Sequence, residues 1–235
     1  MAQSFQIEIA PSQAITALAY PSASAGEAKA CLILAHGAGA TQASPFMVQF
    51  ATALAARGIA TVTFNFLYSE NRRRLPDRND KLEACYRKVI QAYREGSLSP
   101  RLGSPLIIGG KSMGGRIASQ IHAAGGTETG DVEGLILLGY PLHPPGRPEM
   151  MRAKHLPGIR VPVLIVQGEK DAFGTPEELQ PFLREIRAPV ELCVIEGADH
   201  SFKLPKSAGR SPAEVHDFVL GAISRWVEQL PPGTA

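Results

Sequence analysis

Cysteine is scarce in this chain. The three present in 235 residues, Cys31, Cys85 and Cys193, are odd in number and far apart, with no C-x-x-C pair. That pattern argues against a disulfide framework or a thiolate zinc site, and a reducing, cytoplasmic compartment is the simplest expectation. Cys31 and Cys193 lie at or within apolar runs and read as small buried hydrophobes. An excess of one charge sign is also missing: 24 Lys and Arg stand against 22 Asp and Glu, for a formal charge of +2. Affinity built on neutralising phosphates needs a more basic balance, so no nucleic-acid partner is expected. No apolar run approaches the roughly 18 residues of a membrane span. Met1-Ala2-Gln3-Ser4-Phe5-Gln6 lacks the charged and apolar regions of an export signal, so no membrane partner is expected either. H-E-x-x-H and other ligand spacings are absent, and neither a metal nor a cofactor is called for.

Internal repeats, low-complexity tracts and long Gly/Ser/Pro linkers are lacking too, which points to one domain over residues 1–235. A chain of this size buries roughly 70% of its unfolded surface and needs no staples. Whether it is a monomer or a homodimer is not decided by the sequence.

What is present is an alternation of short β-branched apolar runs with longer helical patterns, the signature of an α/β fold with a mostly parallel sheet covered on both faces. Strands are expected at 5–9, 15–20, 31–35, 60–65, 105–109, 134–139, 162–167 and 190–195. The first two are separated only by Pro11-Ser12-Gln13, too little for a crossover helix, and should form an antiparallel hairpin at a sheet edge. The other six read as doubly covered strands. Ser44-Pro45, Thr175-Pro176 and Ser211-Pro212 each place a capping residue before a first-turn proline. Helices are expected over 44–58, 77–95, 113–124, 176–186 and 211–229.

The strongest local feature is Gly109-Gly110-Lys111-Ser112-Met113-Gly114-Gly115, between an apolar strand and a helical pattern. Gly110-x-Ser112-x-Gly114 is a G-x-S-x-G nucleophile elbow in the setting that motif needs. The chain must reverse with a strained serine, and side chains two positions to either side would collide with neighbours. The Met113 amide then faces any developing oxyanion from a helix N-terminus. Taken alone, the stretch also fits a glycine-rich turn with an incidental serine. A phosphate-binding G-x-x-x-x-G-K-S loop is ruled out by Pro105, which stands where its first glycine belongs.

A serine nucleophile needs a base, and the base an orienting acid, in the chain order Ser, Asp/Glu, His. Gln167-Gly168-Glu169-Lys170-Asp171 follows one later strand and Glu196-Gly197-Ala198-Asp199-His200 the next. Asp171 is preferred to Glu169 because it lies further into the turn. Asp199, adjacent to His200, reads as a tie for the loop backbone. His36 opens His36-Gly37-Ala38-Gly39-Ala40, where a second oxyanion amide is expected, and its ring reads as structural. His122, His143, His155 and His216 read as surface or packing residues.

These motifs, together with Leu34-Ala35-His36-Gly37-Ala38-Gly39-Ala40, Gly139-Tyr140-Pro141-Leu142-His143-Pro144-Pro145-Gly146 and Gly197-Ala198-Asp199-His200-Ser201-Phe202, resemble the α/β-hydrolase superfamily over residues 5–229. More narrowly they look like a small hydrolase family near the dienelactone hydrolases, with relatives of a testis-expressed protein and of a histone acetyltransferase complex subunit. The resemblance implies an eight-stranded α/β-hydrolase fold without a cap domain. It implies acyl transfer by Ser112, His200 and Asp171, with the amides of Met113 and Ala38 or Gly39 as oxyanion donors. Dienelactone hydrolases use a cysteine nucleophile, so Ser112 argues against that particular activity. A small soluble ester or thioester is the expected substrate. A non-catalytic interaction module is the alternative, and an amidase or peptidase a lesser one.

The substrate pocket is expected to be open, because residues 140–161 are too few for a multi-helix lid. Candidate lining residues are Tyr68, Arg73, Met150 and Met151. The basic residues at 72–74, with Lys203 and Lys206, suit an acidic substrate, although pairing of the loop with Glu70, Asp77 and Asp80 is the favoured reading.

Overall fold

The computed structural model describes residues 2–23, 28–98 and 105–230. In chain order the strands are β1 Gln3–Ala10, β2 Gln13–Tyr20, β3 Ala30–Ala35, β4 Ile59–Phe64, β5 Leu106–Lys111, β6 Val132–Leu138, β7 Val163–Gly168 and β8 Val190–Ile195. The helices are α1 Pro45–Ala56, α2 Leu67–Glu70, α3 Asn79–Arg94, α4 Met113–Ala124, α5 Pro176–Leu183 and α6 Pro212–Gln229.

All eight strands join one sheet in the order β1-β2-β4-β3-β5-β6-β7-β8. The β1–β2 hairpin is antiparallel and docks antiparallel on β4, from Ala17 opposite Phe64 to Tyr20 opposite Thr61. From β4 through β8 every pairing is parallel. The carboxyl ends of β3, β5, β7 and β8 therefore open on one side of the sheet.

The near-continuous apolar strands follow from the two-residue side-chain period of a sheet covered on both faces. Ile33, Ile108, Leu135, Leu137 and Ile165 point to one side, where α3 and α4 contribute Leu82, Tyr86, Val89, Ile117 and Ile121. Leu32, Leu34, Ile107, Ile136, Leu138 and Leu164 point to the other, against Met47, Phe50 and Leu54 of α1 and Val219, Ile223 and Trp226 of α6. Each such buried side chain is worth about 1.5–3 kcal/mol relative to exposure.

Several expected boundaries move, each for a local reason. Strand β5 runs to Lys111 rather than 109, because Gly109 and Gly110 stay in the ladder opposite Ile136 and Leu137. A Cβ at Gly109 would overlap the Ile136 carbonyl, so the strand is kept by the absence of a side chain. Strand β8 is not doubly covered: it is the sheet edge, only Ile195 is buried, and Val194 is exposed. Helix α3 starts at Asn79, because Arg78 at its N-cap is extended (φ −59°, ψ 156°) and Asp77 before it is held in an ion pair with Arg73 at 2.8 Å. The single turn α2 falls where a loop was expected. Thr175 and Ser211 form full capping boxes with Glu178 and Glu214, whereas Ser44 sits at the N-cap of α1 without a side-chain bond.

One side chain ties α3 to both strands that lead into the site. The buried Tyr86 hydroxyl lies 2.7 Å from the Ile33 carbonyl oxygen and 2.8 Å from that of Gly109, and it accepts the Gly109 N–H at 3.0 Å. Tyr86→Phe strands these buried backbone groups. It is expected to destabilise the protein by about 1–3 kcal/mol, read as a lower urea midpoint at unchanged slope.

Candidate active site

Ser112 stands between the end of β5 and the first turn of α4 with φ 52° and ψ −116°. For a non-glycine residue this conformation costs about 1–3 kcal/mol and persists only where the surroundings enforce it. They do so through close backbone contacts. A Cβ on Gly110 would lie 2.6 Å from both the Ala35 oxygen and the Gly114 carbonyl carbon, and one on Gly114 would enter the Ala35 and His36 carbonyls. The Ser112 N–H is held by the Leu138 oxygen at 2.9 Å.

The loops after β7 and β8 bring two more side chains to this point. His200 Nε2 is 2.8 Å from Ser112 Oγ, and His200 Nδ1 is 2.7 Å from Asp171 Oδ2. A carboxylate offers only acceptors, so Nδ1 carries the ring proton and Nε2 is left to accept from the serine hydroxyl. Asp171 is 1% exposed and fully engaged: Oδ1 accepts the Phe173 N–H at 2.8 Å, and Oδ2 also accepts from Gln167 Nε2 at 2.9 Å. Phe173 covers the imidazole, ring centroids 4.2 Å apart. Glu169 turns away to accept the Gly197 N–H at 2.7 Å. Asp199 ties its own loop, Oδ1 accepting from the Ser201 and Lys203 amides at 2.8 and 2.9 Å.

Three features beyond the sequence-expected residues complete the surroundings. Gln167 is a buried hub whose amide also engages Tyr140 N at 2.7 Å and the Gly174 oxygen at 2.8 Å, joining the loops after β6 and β7. Its signal in the sequence is a lone amide ending the run Val163-Leu164-Ile165-Val166. Lys111 donates through Nζ to the His200 carbonyl at 2.5 Å and lies over the Phe202 ring at 4.7 Å. Burial pushes its pKa down to about 8, against the opposing pull of Asp171 and Asp199. Arg116, one turn beyond Ser112, and Arg152 both line the cavity. The i, i+4 spacing announces the first, and nothing local announces the second.

That cavity has a volume of about 800 Å³ and opens over Ser112 and His200. Its walls include Gly37, Ala38 and Met113 near the nucleophile, Phe46 and Met47 on one side, and Asp77, Asn79 and Leu82 on another. The loop after β3 abuts the elbow, since a Cβ on Gly37 would be 3.6 Å from Ser112 Cβ. The Met113 N–H belongs to the first helical turn, whose amides have no intrahelical acceptor, and the Ala38 N–H donates to nothing among the described residues. Gly39, at φ +71°, does not line the cavity. Its amide is directed at the Tyr68 hydroxyl, whose pKa it lowers against a larger rise from burial. Even so, that approach misses hydrogen-bond geometry and leaves the hydroxyl unpartnered.

The expected lining residues are largely displaced. Tyr68 is fully buried, edge-on to His36 at 5.9 Å, because α2 folds it inward as packing. Met150 and Met151 are exposed outside the wall, and residues 140–161 present Pro141 and Arg152 instead. Arg73 does not reach the cavity either; it holds Asp77, which does, so the pairing reading of this loop is the one observed there. Glu70 is taken by Thr16 and Asn65 rather than by the basic run. Among the described residues no group of side chains is arranged to hold a metal ion, and no helix is long and apolar enough to cross a membrane.

A family model described as an alpha/beta hydrolase domain matches residues 28–228, and the chain belongs to that family. Solved structures share the fold. A dienelactone hydrolase from Anabaena variabilis is 18% identical, with 98% of each chain covered and a TM-score of 0.73. An α/β serine hydrolase without lid from Xanthomonas campestris is 19% identical, with 98% of this chain and 97% of that chain covered and a TM-score of 0.72. The esterase domain of a Rhodothermus marinus protein is 15% identical over 98% of this chain and 99% of that chain, with a TM-score of 0.69. The present chain also lacks a cap among its described residues, carrying only the one-turn helix Leu156–Gly158 between β6 and β7.

His36 has a structural place beneath the site. Nδ1 donates to the Gly37 oxygen at 2.8 Å, Nε2 accepts the Phe66 N–H at 3.2 Å, and burial pushes its pKa down to about 4. The folded pKa lies below the unfolded value of about 6.5, so the unfolded chain binds the proton first as pH falls. The contribution is whole above pH 6.5 and lost progressively toward pH 4, amounting to about 3 kcal/mol. His155, also pushed down to about 4 by burial and then by Arg116, acts in the same window. His36→Asn is therefore expected to flatten, without abolishing, the fall in urea-unfolding stability between pH 6.5 and 4.5. An unchanged slope would show that His36 titrates normally in the fold.

Proposed function

We propose that this protein is a serine hydrolase that cleaves a small ester or thioester through an acyl-enzyme. The observation that carries the reading is the hydrogen-bonded series Asp171, His200, Ser112 ending on a serine held at positive φ at a cavity floor. Family membership and the esterase-type names of structural neighbours support it.

Ser112 Oγ attacks the substrate carbonyl as His200 Nε2 takes the hydroxyl proton. Asp171 holds the ring tautomer and offsets the imidazolium charge. The tetrahedral oxyanion is received by the amides of Met113 and Ala38. His200 then protonates the leaving alcohol or thiol, the acyl group stays on Ser112, and water activated by the same nitrogen releases the acid. Gln167 and Lys111 act one step back, holding Asp171 and the His200 backbone. A cavity of about 800 Å³ is in the range of small-molecule sites.

A fluorophosphonate probe is expected to label the protein at Ser112 and to fail on Ser112→Ala. Hydrolysis of 4-nitrophenyl esters should fall on the order of 10⁴-fold or more in Ser112→Ala, and on the order of 10⁴-fold in Asp171→Asn. Folded protein that shows no Ser112-dependent labelling would establish the fold as an interaction module instead.

A further inference from the structure

The cavity wall contains two arginines that have no carboxylate partner among the described residues. Arg116 Nη1 donates to two neutral oxygens, Asn79 Oδ1 at 2.9 Å and Gln120 Oε1 at 3.0 Å. Its Nε is buried with no partner, and Nη2 makes no hydrogen bond among the described residues. The Nε–Nη2 edge is the side of a guanidinium that pairs bidentately with a carboxylate. Arg152 makes no side-chain hydrogen bond or ion pair among the described residues. Its backbone is pinned at both ends, the N–H donating to the Leu142 oxygen at 2.8 Å and the carbonyl accepting from the Tyr140 hydroxyl at 2.7 Å.

Neither nearby acid forms an ion pair with these two arginines among the described residues. Asp77 shares the wall but is ion-paired to Arg73 at 2.8 Å. Glu83 is separated from Arg116 by the Asn79 amide, which donates to it. Burial, and after it the neighbouring Arg152, disfavour the charge on Arg116, against the weaker opposing pull of Tyr140 and Glu83. Two adjacent cations facing a cavity, with neutral or no partners, are balanced when an anion lies between them. Arg116 also lies one turn into the helix that Ser112 caps, and both residues line the cavity.

We infer that Arg116 and Arg152 form a carboxylate-binding subsite, so that the substrate is a small ester or thioester carrying a carboxylate on a short tether from the scissile bond. The inference rests on the hydrolase reading for its chemistry, while the subsite itself is a matter of binding. It does not draw on the outer basic loop, whose Arg73 is held by Asp77 outside the cavity; of the expected basic rim, Lys203 alone lines the wall.

Three ester types test it: a neutral 4-nitrophenyl butyrate, 4-nitrophenyl hemisuccinate with the carboxylate on the acyl side, and 3-carboxyphenyl acetate with it on the leaving group. Wild-type protein is expected to favour one of the charged esters, and which one tells where the tether lies. In Arg152→Gln, and again in Arg116→Gln, the ratio of kcat/KM for that ester over the neutral one should drop about tenfold or more, mainly through KM. Arg74→Gln, at an exposed residue of the outer basic loop that lies outside the cavity, should leave the ratio in place. A separate titration of the hemisuccinate into Ser112→Ala by calorimetry should show saturable binding that Arg152→Gln weakens. Equal losses on charged and neutral esters, a ratio that responds to Arg74 alone, or absent binding to Ser112→Ala would overturn the subsite. Binding without Ser112-dependent turnover would instead retain the subsite and remove the hydrolase reading.

Discussion

The geometry of the site depends on how closely three stretches of backbone approach one another where β3, β5 and α4 meet. The Ala35 and His36 carbonyls lie where Cβ atoms of Gly110 and Gly114 would be, and Ile136 occupies the equivalent space at Gly109. Removing those side chains lets α4 start directly over the end of β5, and the reversal leaves Ser112 at φ 52°. The strain is local, while the contacts that hold it come from β3, β6 and the helix together. That is why a short glycine-rich stretch has chemical meaning only when it joins a buried strand to a helix. The same approach brings the loop after β3 against the serine and sets Ala38 and Met113 on the cavity wall.

A second layer of polar contacts orients what this junction presents. Asp171 is almost without solvent, yet its oxygens accept from a ring nitrogen, a backbone amide and the Gln167 side chain. Buried carboxylates are tolerable when their acceptors are met in this way. Gln167 in turn spans two loops, and Lys111 fastens the backbone of the histidine. Contacts over the Ser112–His200 pair therefore originate on β5, β7 and the loops after β6, β7 and β8, elements distant in sequence and neighbouring in the sheet. Against this engaged inner layer stand the buried, unpartnered Nε of Arg116 and the side chain of Arg152, which has no hydrogen bond or ion pair among the described residues.

Much of the architecture was legible because it is written in short-range patterns. Continuous apolar strands, capping residues before proline and the brief Pro11-Ser12-Gln13 turn report local rules, and β1 through β8 appear near their expected positions. Misplacements came where a neighbour decides. The exposure of β8 follows from its being last in the sheet order, which no periodicity states. The inward turn of Tyr68 results from α2 folding it onto His36, and the start of α3 is set by the extended backbone of Arg78. Met150 and Met151 lie in a segment whose path over the surface has no local signature.

The sequence by itself determined the fold class, the residue types at the elbow and the order in which an acid and a histidine follow it, since each depends on local sterics and chain order. It also favoured Asp171 over Glu169 by position in the turn, and the Asp171–His200 contact agrees with that choice. Only the tertiary structure decided which residue after β3 lines the cavity and which cations border it. Ala38 and Gly39 are adjacent, and choosing between them depends on the direction of a single backbone vector. Arg116 and Arg152 meet across 36 residues because β6 and the segment after it return to α4, and a long-range encounter of that kind is set by packing.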